Sequence, residues 1–337
     1  MQRRRAIGFT PSHTNLDEIR AVVALAEDCG YELVCLPEGW ALDSTTVIAD
    51  LAARTERIGF AATILSIWGR TPATLAMTAA TLQGLSDGRF ILGLGTSTPT
   101  LAEGFHDTTY DHPTRRLRQV TETVRTLLDG GRAPISTDTT QRPLRLGFPP
   151  PARVPIWHGT VGPRSCQITA ETADGWAPVW MSRAGVTTIT AQLAATRATA
   201  RPDAPPLVVC CGPMVVVDDD LDRARATAGT TIAWYLCSMG PLHPRFVASQ
   251  GYAPQVQAVQ QANQRITPSS GIIPAQATAL VDDFTAAGPA DTVAAQLALW
   301  DDVSDIVLVG IPPPGTSWDI IDATVRAGAP SRPEAAP

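Results

Sequence analysis

The sequence contains no lysine, and all 26 of its basic residues are arginine. This absence excludes a Schiff-base lysine, the lysine of a phosphate-binding Walker A loop, and pyridoxal phosphate held through an internal aldimine. The 32 acidic residues outnumber the basic ones, the net charge is -6, and no dense basic run follows Arg3, Arg4 and Arg5. We therefore expect no nucleic-acid partner.

Cysteine motifs and long apolar runs are also missing. The six cysteines include no C-x-x-C pair, which argues against a zinc ribbon or a disulfide framework and indicates a reducing compartment. No apolar stretch of roughly 7 to 15 residues follows the first arginines, and no segment approaches the roughly 18 apolar residues of a membrane span. We therefore expect a cytoplasmic protein with no membrane partner.

Short β-branched or apolar runs recur at regular distances and predict eight strands. They cover residues 6–10, 33–36, 58–65, 90–94, 155–158, 176–179, 207–217 and 306–309. Between them, apolar spacings such as Leu16, Ile19, Val22, Val23 and Ala26 predict amphipathic helices. Eight even β-then-α units, with no G-x-G-x-x-G after the first strand, favour a (β/α)8 TIM barrel over a doubly wound sheet.

Two segments interrupt this rhythm. Residues 130–153, after strand four, are rich in Pro, Thr and Arg, and a longer excursion from residue 218 to about residue 279 follows strand seven. Connections of such length are usually lids, small added helices or binding segments. We predict a single barrel domain over residues 1–327 with these two insertions, and a disordered tail over residues 328–337.

The residues that follow the strands are the site candidates, because a (β/α)8 barrel carries its chemistry at the C-terminal strand ends. His13 and His158 lie at two of these ends and could move a proton near neutral pH, although either could be a structural histidine. Four of the eight tryptophans fall at or beside the same rim. They suit a flat aromatic ligand, or simply cap the barrel core: Trp40, Trp68, Trp157 and Trp180.

Other motifs are typical of structural roles and not of catalytic or metal-binding ones. The Asp-Gly sequences in residues 86–89 and 173–175 precede strands four and six, at the face that serves stability, and are typical of turns that end helices. No metal site is expected, since His106 and His112 are isolated in a loop and no H-E-x-x-H occurs. Residues 95–99 lack the last glycine of a nucleophile elbow.

Two glycine-bearing turns predict a phosphate-binding cradle. Residues 93–97 and 159–165 each lead from a strand toward a helix. Glycine allows a close backbone approach, hydroxyls and helix N-terminal N–H groups bind anions, and Arg164 adds positive charge. Each turn alone is a weak signal, and neither is a Walker A loop.

Several sequence motifs resemble those of a known protein family. Arg70–Ala73, leading through Ala79–Gly95, resembles the luciferase-like flavin and deazaflavin oxidoreductase superfamily, and its coenzyme F420-dependent branch in particular. Residues 154–157, 162–164 and 170–175 agree further, as do residues 287–293 and 305–308. The resemblance spans residues 6 to 327 and implies a TIM barrel, often a homodimer, that binds F420 or FMN without a covalent link and acts on a small molecule.

The resemblance also implies which residues form the site. The ring would lie near Thr63 and Ile64, where relatives of the deazaflavin branch carry a non-proline cis peptide, and the phosphate would meet the predicted cradle. The cofactor-binding candidates are Trp40, Thr63, Ile64, Ser66, Gly95, Thr96, Ser97, His158, Gly159, Thr160, Gly162, Pro163 and Arg164. Many relatives have an acidic residue followed by histidine after strand two, whereas this chain has Glu38 and Gly39. His13 and Glu38 are therefore the catalytic candidates.

Three functions follow as hypotheses. The first is an F420-dependent oxidoreductase that transfers a hydride between the deazaflavin and a small organic substrate, reducing a C=C or C=N bond or oxidising an alcohol. The second is an FMN-dependent monooxygenase of the same fold. The third is a non-catalytic flavin-binding barrel, which the missing rim histidine would explain.

Overall fold

The computed structural model describes residues 3–330 except 136, 138 and 139. Within that part of the chain the strands are β1 Arg5–Gly8, β2 Leu33–Leu36, β3 Gly59–Ser66, β4 Phe90–Gly95, β5 Ile156–His158, β6 Gly175–Trp176, β7 Val208–Cys211, β8 Met214–Val217, β9 Thr285–Gly288 and β10 Ile306–Gly310. The helices are α1 Leu16–Asp28, α2 Ser44–Ala52, α3 Pro72–Leu85, α4 Pro99–Gly104, α5 Pro113–Leu128, α6 Pro163–Thr172, α7 Arg183–Ala200, α8 Leu221–Ser238, α9 Leu242–Val247, α10 Ala253–Ala262, α11 Thr278–Phe284, α12 Ala290–Ala298 and α13 Trp318–Ala327.

The strands form one parallel sheet that closes on itself. Their order is β1, β2, β3, β4, β5, β6, β7 and β10, and β10 pairs back with β1. Strands β8 and β9 pair with each other outside this ring of eight. The predicted (β/α)8 barrel is confirmed.

Local sequence signals account for the helix ends. Asn15 begins α1 by accepting hydrogen bonds from the N–H groups of Asp17 and Glu18, and Thr71 caps α3, whose first residue is Pro72. Short polar side chains at this position satisfy N–H groups that have no partner inside the helix, and proline loses nothing at the first helical position. The predicted apolar stripe of α1 is buried at Ile19, Val22, Val23 and Ala26, whereas Leu16 is 39% exposed.

Contacts divide the chain into two compact units. Unit 1 comprises residues 1–35, 178–192 and 208–337, and unit 2 comprises residues 36–177 and 193–207. The predicted single domain over residues 1–327 stays a prediction. Residues 331–337 of the predicted tail lie outside the described part of the chain, and Gly328 ends α13 by donating to the carbonyl of Thr324.

The Asp-Gly turn before β4, within unit 2, has the structural role predicted for it. Asp87 and Gly88 both have positive φ, 49° and 84°, the conformation that ends a helix most easily at glycine. The adjacent Arg89 donates to backbone carbonyls of Ser86, Ile58 and Thr55. Asp174 and Gly175 differ from the prediction: no turn of this kind forms, and a side chain at Gly175 would collide with Trp157.

Two strand predictions need correction. Residues 207–217 were predicted as one strand, but β7 and β8 are separate because Gly212 and Pro213 interrupt them. A Cβ atom on Gly212 would lie 2.7 Å from the backbone nitrogen of Leu308, and proline cannot donate to a ladder. Strand β9 was missed because its sequence, Thr-Ala-Ala-Gly, lacks the branched side chains that predict strands.

The insertion after strand seven contains added helices, as predicted. Helices α8, α9 and α10 lie within it, with a kink at Gly251 in the segment Ala248–Tyr252 between the last two. No helix among the described residues is long and apolar enough to cross a membrane.

Candidate functional site

The C-terminal end of β3 forms the centre of the candidate site in unit 2. The peptide bond between Thr63 and Ile64 is cis, as the resemblance implied. The side chain of Ile64 lies against Gly95 and Gly159, where β4 and β5 end, and a Cβ atom on Gly159 would be 2.7 Å from it. These glycines therefore leave the space that Ile64 occupies.

Glu38 is held between a backbone N–H group and an arginine. Its Oε2 accepts a hydrogen bond of 2.9 Å from the N–H of Ser66, the last residue of β3, and its Oε1 pairs with the Arg70 guanidinium. The side chains of Glu38 and Arg70 are 8% and 15% exposed, and Arg70 also donates to Asp43. Both oxygens of Glu38 are engaged, so the carboxylate fixes the end of β3.

An aromatic and cationic stack lies beside this strand end. The indole N–H of Trp68 donates to the carbonyl of Thr96 at 2.8 Å, and the Tyr110 ring lies 5.2 Å from the Trp68 ring. The Arg116 guanidinium sits 4.5 Å from the centre of the Trp68 ring, a cation–π distance. Tyr110 donates to the carbonyl of Ser97. These contacts hold the first predicted cradle turn, in which Ser97 has a φ of 55°.

The second cradle turn ends at the N-terminus of α6. Gly162 is the capping residue and supplies no side-chain acceptor, and proline occupies the first helical position. The N–H groups of Arg164 and Ser165 and the Arg164 guanidinium have no acceptor among the described residues. Arg164 is exposed. Unpaired N–H groups, the positive end of the helix dipole and a free guanidinium suit a phosphate.

The two turns start side by side. Leu94 of β4 pairs with His158 of β5, and the N–H of Gly159 donates to the carbonyl of Leu94 at 3.1 Å. The structure therefore brings together the hydroxyl-bearing turn after β4 and the helix N-terminus after β5, within unit 2.

His158 is a buried histidine bonded to helices. Its Nε2 lies 2.9 Å from the Thr121 hydroxyl of α5, and its Nδ1 lies 3.2 Å from the Thr169 hydroxyl of α6. Thr160 bonds the same Thr169 hydroxyl at 2.7 Å. Burial lowers the pKa of His158 to about 3. The ring is therefore neutral and its contacts are to the core, which leaves no ring nitrogen for a cofactor.

This lowered pKa predicts a loss of stability in acid. Unfolded His158 binds a proton near pH 6.5 and the folded residue near pH 3, so protons favour the unfolded state between these values. Between pH 7 and pH 5 we expect the wild type to lose about 2 kcal/mol more stability than His158→Gln. Urea unfolding at both pH values measures the difference. Parallel losses in the two proteins would contradict the assignment.

His13 is placed in unit 1 and is also fully bonded. Thr10 donates its N–H to Nδ1 at 3.1 Å, and Nε2 lies 2.9 Å from the carbonyl of Pro312. Nδ1 is therefore the acceptor and Nε2 carries the hydrogen. Burial lowers the pKa of His13. The neutral ring links the loop after β1 to the residues after β10.

The predicted rim tryptophans have different environments. Trp157 is buried at 3% exposure and packs on Gly175 within unit 2, so it belongs to the core. Trp68 forms the stack described above, and Trp40 is 46% exposed. Trp180 lies in unit 1.

No group of His, Cys, Asp and Glu in the described residues could hold a metal ion.

Three residues of the site were not among the predicted site residues, although Arg70 was expected at the catalytic face. Arg70 follows β3, and its pairing with Glu38 could have been inferred from two opposite charges that follow consecutive strands. Tyr110 and Arg116 come from a loop and from α5, and no sequence pattern relates them to Trp68.

The family model for luciferase-like monooxygenases matches residues 3–304 of this chain. The chain belongs to the luciferase-like monooxygenase family. A Mycobacterium tuberculosis protein that carries the provisional name coenzyme F420-dependent oxidoreductase is 32% identical over 304 residues, covering 83% of this chain and 86% of the relative. Membership of this family makes the chain an enzyme, and its relatives use a deazaflavin or a flavin.

Solved structures share the fold at low identity. A coenzyme F420-dependent tetrahydromethanopterin reductase from Methanopyrus kandleri has a TM-score of 0.72 at 18% identity, covering 97% of this chain and 98% of its own. The oxygenating part of an FMN-bound Baeyer–Villiger monooxygenase from Pseudomonas putida has the same TM-score at 16% identity, covering 98% and 97%. Both cofactors thus occur on this fold.

Proposed function

We propose that this luciferase-like protein is an F420-dependent oxidoreductase that transfers a hydride between the deazaflavin and a small organic substrate, reducing a C=C or C=N bond. The similarity to the mycobacterial protein named for F420, over 83% of the chain, is the observation that carries the proposal. When bound, the deazaflavin accepts or gives two electrons as a hydride at its C5 atom.

The residues of unit 2 fit such a cofactor. The N–H groups of Arg164 and Ser165, with the Arg164 guanidinium, would bind its phosphate, and the Ser97 hydroxyl would add a donor. The backbone at Thr63 and Ile64 would support the ring. Gly162 leaves this approach open, since among the described residues, its two chain neighbours aside, the only atom within 4 Å of a Cβ built there is the Ser165 hydroxyl oxygen, at 3.5 Å.

The two residues first selected as proton carriers are better suited to positioning. Glu38 has both oxygens bonded, to Ser66 and Arg70, and His13 has both nitrogens bonded. We propose that Glu38 orients the end of β3 and that His13 fixes a loop of unit 1. A homodimer and a cytoplasmic location belong to the same proposal.

A paired titration tests the cofactor. Purified protein is titrated with F420 and with FMN, each oxidised and reduced, and binding is followed by fluorescence quenching. We expect micromolar affinity for F420 and at least tenfold weaker binding of FMN, followed by consumption of reduced F420 with unsaturated substrates in the absence of oxygen.

Two outcomes would contradict the proposal. Tight FMN binding with oxygen uptake would assign the monooxygenase function. Tight F420 binding with no turnover, either of any substrate in the panel or of oxygen, would assign a non-catalytic flavin-binding barrel.

A further inference from the structure

An aromatic cluster in unit 1 contains a buried polar group with no hydrogen-bond partner among the described residues. The Tyr235 ring lies 4.9 Å from the Trp180 ring, 5.2 Å from the Trp234 ring and 5.3 Å from the His243 ring. Met239 completes the cluster. We call Trp180, Trp234, Tyr235, Met239 and His243 the aromatic box. All of these side chains are uncharged near neutral pH, since burial raises the pKa of Tyr235 and lowers that of His243 to about 4.

One hydrogen-bond donor of the box is buried without a partner, and a second lies on the adjacent ring. The indole N–H of Trp180 is buried and has no acceptor among the described residues. The Tyr235 side chain is 6% exposed, and no described residue bonds its hydroxyl. A buried donor without a partner costs about 1–3 kcal/mol, and tyrosine and tryptophan usually find one when buried. The unpaired Trp180 indole, with the Tyr235 ring beside it, indicates a ligand acceptor.

The backbone holds Trp180 in an uncommon conformation. Its φ is 54°, in the left-handed region that bulky residues rarely adopt and that costs about 1–3 kcal/mol. Gln250 stabilises it: its Nε2 donates to the carbonyl of Trp180 at 2.9 Å, and its Oε1 accepts from the N–H and the hydroxyl of Ser182. Gln250 lies in the segment Ala248–Tyr252, next to a kink at Gly251, whose φ is 103°.

The position of Trp180 along the chain agrees with a ligand site. Trp180 comes four residues after the end of β6, and ligand-binding residues of a (β/α)8 barrel follow the C-terminal strand ends. The other members of the box come from α8, from α9 and from the residues between them, which belong to the insertion after strand seven. An insertion that supplies aromatic side chains to such a residue provides specificity.

We propose that the aromatic box binds an uncharged, largely apolar molecule through an acceptor oxygen or nitrogen, which takes hydrogen bonds from the Trp180 indole and the Tyr235 hydroxyl. Identifying this molecule with the substrate rests on the proposed F420-dependent function. On that function the class is a conjugated carbonyl or an imine, because each has both an acceptor atom for these donors and a double bond that can be reduced.

Calorimetric titration of the cofactor-free protein tests the box by itself. The probes are acetophenone, an aromatic ketone, and ethylbenzene, which has a similar shape and no acceptor. We expect acetophenone to bind at least fivefold more tightly than ethylbenzene, because one net hydrogen bond of about 1 kcal/mol corresponds to this ratio. Benzoate, a charged probe, should bind more weakly than acetophenone.

Conservative variants locate the binding. Trp180→Phe and Tyr235→Phe keep an aromatic ring and should each weaken acetophenone binding roughly fivefold, with less than a twofold change for ethylbenzene. Trp318→Phe, at a 43% exposed position on α13, is the matched control and should change neither. Circular dichroism establishes that each variant is folded.

Several results would contradict the proposal that the aromatic box binds a ligand. They are equal wild-type affinities for acetophenone and ethylbenzene, no binding of acetophenone by the folded wild type, or unchanged binding in both folded variants. The F420 titration is independent of this experiment. If acetophenone binds more tightly than ethylbenzene and F420 does not bind, the proposed function fails, whereas the ligand site in the aromatic box is supported.

Discussion

Arg70→Met is expected to destabilise the protein by about 3 kcal/mol and to weaken cofactor binding. The substitution leaves the Glu38 carboxylate, 8% exposed, without its guanidinium, and a buried charge that loses its partner costs about 3–5 kcal/mol. Without Arg70 the carboxylate is free to turn toward water, so its hydrogen bond to the Ser66 N–H at the end of β3 weakens. Urea unfolding and F420 titration measure the two effects.

A double substitution distinguishes the cost of the unpaired Glu38 charge from the cost of losing the Arg70 side chain. Glu38→Gln with Arg70→Met removes both charges and keeps an amide oxygen that can accept from Ser66, so most of the stability should return. Arg54→Met is the control. Arg54 is 55% exposed, follows α2 and pairs with Asp50 in the last turn of that helix, and an exposed pair of this kind contributes about 0.5 kcal/mol or less. Equal losses for Arg70→Met and Arg54→Met would show that the Glu38 contact does not stabilise the strand end.

The sequence predicted the barrel because its signals are local and repeated. Apolar runs such as Leu33–Leu36 and the apolar stripe of α1 need only one segment to be recognised, and both lie where they were predicted. Strand β9 has no such signal. Its alanines and glycine are buried through pairing with β8, and pairing between distant segments cannot be read from one of them.

The sequence predicted the parts of the site that are formed by backbone groups. A glycine before a proline at a helix start predicts free N–H groups, and Gly162 and Pro163 have this arrangement. Side-chain partners were not predictable. His158 and His13 have strand-end positions suited to catalysis, and their actual partners, Thr121 and Pro312, lie 37 and 299 residues away along the chain. The same applies to Trp180, whose box comes from an insertion without a sequence pattern.

Gly162→Val is expected to lower F420 affinity by at least tenfold while changing stability by no more than about 1 kcal/mol. The new methyl groups would occupy the approach to the Arg164 and Ser165 N–H groups, and losing one or two charge-assisted hydrogen bonds costs about 1.5–3 kcal/mol each. A tenfold loss corresponds to about 1.4 kcal/mol. Gly147→Val is the control, since a Cβ atom at Gly147 meets nothing within 4 Å.

Gly162→Ser gives the sharper result because it moves stability and affinity in opposite directions. A serine at this capping position accepts a hydrogen bond from an N–H group of the first turn of α6, so it should raise stability by a few tenths of a kcal/mol. The same bond occupies a donor that the phosphate needs, so F420 affinity should fall. Arg164→Met should also weaken F420 binding, with little effect on stability, because this exposed arginine has no described partner to lose. If all three variants bind F420 like the wild type, the phosphate does not bind at the start of α6, and the glycine and proline there serve only to begin the helix.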